Sequence, residues 1–208
     1  LVIFPAALAT TAAHHRRGAI WWKAATVMGA AGVAGSLLGS TLTTRVIGGE
    51  VMKIVFGVVV ILASIRLVAA RPGETAGESP QSPLLWAATG GLVGLFSGLL
   101  GAGGGIVAVP LMVSALKFRM HQAVATSAAV MVFTTGAGAL GYFIHGRGVS
   151  GLPAGSFGYF YPVAWLCLAP TSIALTEVGT WALQRISARA LRIGFAVVMV
   201  AVGLQAIA

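Results

Sequence analysis

Gly98-Leu-Leu-Gly-Ala-Gly-Gly-Gly-Ile-Val-Ala-Val-Pro110 decides how this chain folds. The stretch lies inside a long apolar run, yet it is poor helix. Glycine in a helix interior costs about 1 kcal/mol relative to alanine, and proline about 3 kcal/mol. Gly101, Gly103, Gly104 and Gly105, followed by Pro110, predict a helix that breaks at membrane depth. In lipid, such irregular backbone is tolerated only where protein or a water-filled cavity surrounds it. Interrupted membrane helices are places where transporters hold their solutes. If a short helix restarts near Ile106, its first N–H groups lack intrahelical partners. They also sit at the positive end of the helix dipole. Backbone alone then suits an anion, and glycines let it come close. Gly101, Gly103, Gly104, Gly105 and Ile106 are therefore the candidate solute-binding residues. The alternative is that small residues only allow tight helix packing. Gly90, Gly91, Gly94 and Gly98, spaced in threes and fours, suit that alternative better.

Around this stretch the composition is that of a membrane protein. Of 208 residues, 58% are hydrophobic and only 8% charged, with a mean hydropathy of +0.95. A soluble domain carries about 25% charged residues. Apolar runs long enough to span a bilayer as helix recur, and the shorter alternating segments of a membrane barrel are absent. The expected class is all-α and polytopic. The net charge is +9, from 13 Lys and Arg against 4 acidic residues. That excess flanks the apolar segments, where it anchors and orients helices. Nucleic-acid binding would need a basic patch on a soluble face, so no nucleic-acid partner is expected. One cysteine, Cys167, gives neither an intramolecular disulfide nor a cysteine metal cluster. No cofactor and no metal are expected.

Seven apolar segments can be drawn, at 1–13, 20–44, 51–69, 84–116 (broken near 101–105), 122–144, 158–183 and 190–207. The first is too short to span and reads as the tail of a truncated helix, which makes eight or so segments in the full-length protein. Arg71 to Pro83 contains three prolines and two glycines and reads as a flexible linker. It separates a truncated first membrane repeat, 1–70, from a second, 84–208. The two parts resemble each other. Ala12–Ile20 parallels Gly141–Val149, and Glu50–Ile61 parallels Arg189–Val200. Duplication of this kind is expected of transporters, here as two four-helix repeats with the glycine break in the second. In this register the break's first-half counterpart lies upstream of Leu1. Segment 84–116 is long for one helix and short for two crossings. A re-entrant hairpin there would invert the repeats; a single crossing would not.

Other polar residues in apolar segments are few. Thr126 and Ser127 offer uncharged donors to an oxyanion or to the freed backbone, unless they bond back to their own helix. Glu177 is the one carboxylate well inside an apolar segment. A charge there costs about 2.5–3.5 kcal/mol at a helix centre. It is a candidate for proton coupling, or else it reaches the headgroup region near Arg185. His14, His15 and His145 sit beside arginines at segment ends, as interfacial residues do. Trp21, Trp22, Trp86, Tyr159 and Tyr161 fit aromatic belts. Catalytic motifs are missing, and aspartate is absent altogether. No enzyme activity is expected.

Gly94-Leu-Phe-Ser-Gly-Leu-Leu-Gly-Ala-Gly-Gly-Gly-Ile-Val-Ala-Val-Pro110, then Ala123-Val-Ala-Thr-Ser127, then His145-Gly-Arg-Gly148 resembles the TauE/SafE sulfite-exporter-like permeases. Leu191–Leu204 looks like that family's last helix. Arg16-Arg-Gly18 and Met52–Gly57 are similar to parts of its first repeat. The resemblance implies a permease of the bacterial-type cytoplasmic (inner) membrane. It implies small sulfur-containing anions, such as sulfite and organosulfonates, as solutes. The expected function is gradient-driven alternating access for a small anion, within membrane lipid, with a homo-oligomer left open. A non-transporting scaffold subunit and a passive anion channel are the alternatives.

Overall fold

The computed structural model describes residues 2–45, 49–69, 82–101, 103–146, 155–157, 159–183 and 185–207. It is all-helical in architecture: α1 (Ile3–His15), α2 (Trp22–Arg45), α3 (Gly49–Ala69), α4 (Pro83–Leu100), α5 (Gly105–Ser114), α6 (Met120–His145), α7 (Pro162–Leu183) and α8 (Ala188–Ile207). Five of these, α2, α4, α6, α7 and α8, are long and apolar enough to cross a membrane. The all-α polytopic expectation holds. The seven apolar segments become eight helices because 84–116 splits at its glycines. Most of the expected linker, residues 70–81, lies outside the described residues; so does part of the repeat segment Gly141–Val149. Its last residues are visible as a helix start. Ser82 Oγ accepts from Leu84 N at 3.3 Å, and Pro83 occupies the first turn, where its missing N–H costs nothing.

Helix directions follow from who touches whom. A Cβ on Gly90 would strike Met28, one on Gly94 would strike Gly32, and one on Gly98 would strike Ser36. Rising numbers meet rising numbers, so α4 lies parallel to α2, backbone against backbone. On α6, Gly138 and Gly141 face Ser36 and Ser40, so α6 is parallel to α2 as well. Ser36 Oγ donates to Thr134 O at 2.7 Å across that contact. Helix α1 runs the other way: Phe4 lies at Gly136, while His15 packs edge-on against Trp22. Helices α3 and α8 are antiparallel, with Ser64 Oγ donating to Ala196 O and Gly203 against Ile61. Arg17 Nη1 donates to Thr180 O, which fixes the end of α7 beside the end of α1.

Segment 84–116 is a hairpin. Its outgoing arm starts at Trp86, which meets Trp21 at 5.7 Å between ring centroids. Its returning arm ends before Phe118, which stacks on the same Trp21 at 5.2 Å. Between them Gly104 has already come back level with Val93 and Ser97. Both arms therefore share one end of the bundle. As a consequence α1 and α6, α2 and α7, and α3 and α8 run in opposite senses. The apolar core, including Met28, Val93, Met112, Val113, Phe118 and Val130, fills the half of the bundle nearer Trp21. Many large apolar side chains on α3, α7 and α8 are exposed, as a lipid-facing surface requires.

Candidate functional site

The glycine run breaks the helix by taking backbone conformations that only glycine adopts freely. Gly101 caps α4 with φ +64°, Gly103 has φ +75°, and Gly104 starts α5 with φ +71°. Pro110 lies inside α5, which continues through it. The break itself thus belongs to the glycines. Val107 N and Ala108 N both turn to Gly104 O. The N–H groups of Gly103, Gly105 and Ile106 find no acceptor among the described residues.

Beside the break is a cavity of about 190 Å³, lined by Gly101 and Gly103, Ile3, Ser97 of α4, Thr134, Thr135, Gly138, Ala139 and Tyr142 of α6, and Tyr159. Thr135 is 15 residues into α6, about 22 Å along that helix. The cavity lies beyond the apolar core, on the side away from Trp21. Tyr142 and Tyr159 meet edge-on at 6.3 Å on its outer side. No Lys, Arg, His, Asp or Glu lines it among the described residues.

The lining hydroxyls differ in what they offer. Thr135 Oγ1 donates to Met131 O at 2.6 Å, and Thr134 Oγ1 makes a long 3.4 Å contact with the same carbonyl. Tyr142 donates to Gly98 O at 2.8 Å, bridging α6 to the last turn of α4. Ser97 is 4% exposed. Its hydroxyl has no hydrogen-bond partner among the described residues and borders the cavity.

Of the residues singled out from the sequence, Gly101 and Gly103 line this cavity. Gly104 sits behind them against Val93, and Gly105 against Met131. Ile106 is in the first turn of α5. Thr126 and Ser127 do not line it; they lie about two turns earlier on α6. Thr126 is fully buried and accepts from Trp21 N at 3.2 Å, tying α6 to the start of α2. Ser127 donates to Val124 O at 2.9 Å. The hydroxyls at the cavity are Ser97, Thr134, Thr135, Tyr142 and Tyr159 instead. Glu177 is exposed on α7 and is not a lining residue. Spacing held part of the signal: Thr134 follows Ser127 by seven residues, on nearly the same helix face. Depth along α6 becomes readable only once the hairpin is known.

A break of this kind, with a small polar cavity between an interrupted helix and its neighbours, is a transporter arrangement. The model of the family described as sulfite exporter TauE/SafE matches residues 1–206. The chain belongs to the TauE/SafE family. A "probable membrane transporter protein" of Methanocaldococcus jannaschii is 26% identical over 209 residues, covering 98% of this chain and 74% of that protein. One of the same description from Haemophilus influenzae is 24% identical over 192 residues, covering 92% of this chain and 72% of the relative. One from Xylella fastidiosa is 28% identical over 125 residues, 58% of this chain and 48% of the relative. No solved structure matches the chain. Membership of the TauE/SafE family, with these relatives, makes the protein a multi-pass membrane transporter.

Proposed function

We propose that the cavity at the α4–α5 break holds a small oxyanion, sulfite or an organosulfonate, during gradient-driven alternating access. The observation that carries this is the cavity itself. It joins a backbone N–H at Gly103 and a Ser97 hydroxyl, both without partners among the described residues, to an interrupted helix, at a size suited to a small solute. An anion held by uncharged donors gives up hydration without needing a buried cation, and hydrogen bonds to charged groups are the stronger ones. The family's description names sulfite export, which supports a sulfur oxyanion as the solute. The opposed directions of α1/α6, α2/α7 and α3/α8, with the sequence parallels they carry, support two inverted repeats spanning 1–70 and 84–208. Such repeats are the frame on which one half rocks against the other.

Charge placement supports an orientation. Arg16, Arg17, Lys23, Arg66, Lys117, Arg119, Arg185, Arg189 and Arg192 all fall at the Trp21 end; Arg45 and Lys53 fall at the opposite end. Cytoplasmic segments carry the excess of Lys and Arg. The Trp21 end therefore faces the cytoplasm of a bacterial-type inner membrane. The cavity, beyond the core from that end, then communicates with the opposite side.

The test is sulfite flux in proteoliposomes with and without an imposed ion gradient. Saturable flux that follows the gradient is expected. Flux linear in concentration and indifferent to the gradient would make the protein a channel, and no flux in folded protein would remove the transport of this anion.

A further inference from the structure

We infer, resting on the anion site just described, that the cavity selects a singly charged anion that carries its own hydrogen-bond donor. Two features of the lining lead there. First, no cationic side chain lines the cavity among the described residues. Taking charge out of water is costly unless it is paired, and the cost climbs steeply with the size of the charge. A monoanion is therefore accepted far more readily than a dianion.

Second, most of the hydroxyl protons around the cavity are already in use. The proton of Thr135 goes to Met131 O and that of Tyr142 to Gly98 O. Thr134 points its proton at Met131 O as well, though at long range. A hydroxyl that donates elsewhere keeps lone pairs and acts as an acceptor. Turning the proton toward a solute would leave a backbone carbonyl unsatisfied, which costs about 1–3 kcal/mol. Back-bonding of threonine to its own helix is ordinary. Its consequence here comes from position, because these residues line the cavity. Among the described residues, the donors left without an acceptor are the Ser97 hydroxyl, the Gly103 N–H and, on the exposed outer side, the Tyr159 hydroxyl.

A fully deprotonated oxyanion has only acceptors to offer. It would satisfy Ser97 and Gly103 but bring no proton to the hydroxyls of Thr135 and Tyr142, whose own protons are committed to carbonyls. A solute with one O–H of its own answers both sets. The class is thus a hydrogen oxyanion, such as hydrogen sulfite, or a hydroxylated sulfonate.

Matched sulfonates test this without changing pH. Isethionate and ethanesulfonate are both permanent monoanions and differ by one hydroxyl. Each is added as a competitor of labelled sulfite flux in proteoliposomes. Isethionate is expected to inhibit at about one tenth the concentration that ethanesulfonate needs. Thr135→Val should weaken sulfite flux and, in the flux that remains, bring the two to near parity, and Thr135→Ser should restore both the flux and the preference. Equal inhibition of a robust wild-type flux by the two sulfonates would overturn the selectivity and leave the anion site standing. Absence of any saturable anion flux would overturn the site, and this inference with it.

Discussion

Gly104 shows how much one residue can fix. Its φ of +71° is a conformation L side chains rarely adopt, and a Cβ there would stand 2.9 Å from Val93 O. A side chain at such a position costs on the order of 1–3 kcal/mol in backbone strain alone. Gly104→Leu is expected to abolish anion flux and to lower the thermal unfolding midpoint in detergent by several degrees. At Gly101 nothing lies within 4 Å of an added Cβ. Gly101→Ala should therefore show a clearly smaller drop, and equal midpoints for the two variants would contradict this account of the break. The glycines were legible because positive φ selects glycine, and a run of them in apolar sequence has few other uses. Ser97 and Thr135 were not legible as partners of the break. A serine in the last turn of a helix, and threonines among many on another helix, acquire meaning only through depth. Depth depends on where the chain turns back. Thr126 and Ser127 sit next to each other in an attractive motif, but the fold places them among core residues beside Trp21.

Among the elements, α4 depends on α2 more than on its own sequence. Gly32, Gly35 and Gly39 of α2 face Gly90, Gly94 and Gly98 of α4 so closely that added carbons would overlap carbonyls. Small residues allow this approach where water supplies no driving force between helices. Gly94→Val should separate the pair and destabilise the protein by more than about 3 kcal/mol, the range of severe core disruption. Gly91, which meets only Ala31 O at 4.0 Å, should tolerate alanine. Thermal unfolding of Gly94→Val and Gly91→Ala side by side checks both statements. The glycine spacing announced this packing in advance, and polar residues at segment ends announced the helix limits to within a few residues. The hairpin was undecided for a physical reason. At 1.5 Å per residue, 33 residues make about 50 Å of helix, between one crossing and two. The structure resolves it with a long arm, α4, and a ten-residue return, α5, that covers about half the depth.

For the whole molecule, the hairpin turns an ambiguous charge distribution into a lopsided one. With α5 returning, the cations of the α5–α6 turn, Lys117 and Arg119, join those at Arg16, Arg17 and Arg185 on one face. Single cysteines in a Cys167→Ser background test the resulting orientation. A membrane-impermeant maleimide applied to intact cells should label Phe157→Cys and should reach Arg119→Cys only after permeabilisation; the reverse pattern would invert the assignment. The measurement that most directly tests the site is the apparent KM for sulfite in proteoliposomes holding wild-type protein, Ser97→Ala or Ser127→Ala. A hydrogen bond to a charged group contributes about 1.5–3 kcal/mol, so Ser97→Ala should raise KM about tenfold or more. Ser127→Ala, which removes only a bond to Val124 O, should leave it unchanged. A KM that moves with Ser127 and not with Ser97 would place the anion somewhere other than the glycine-break cavity.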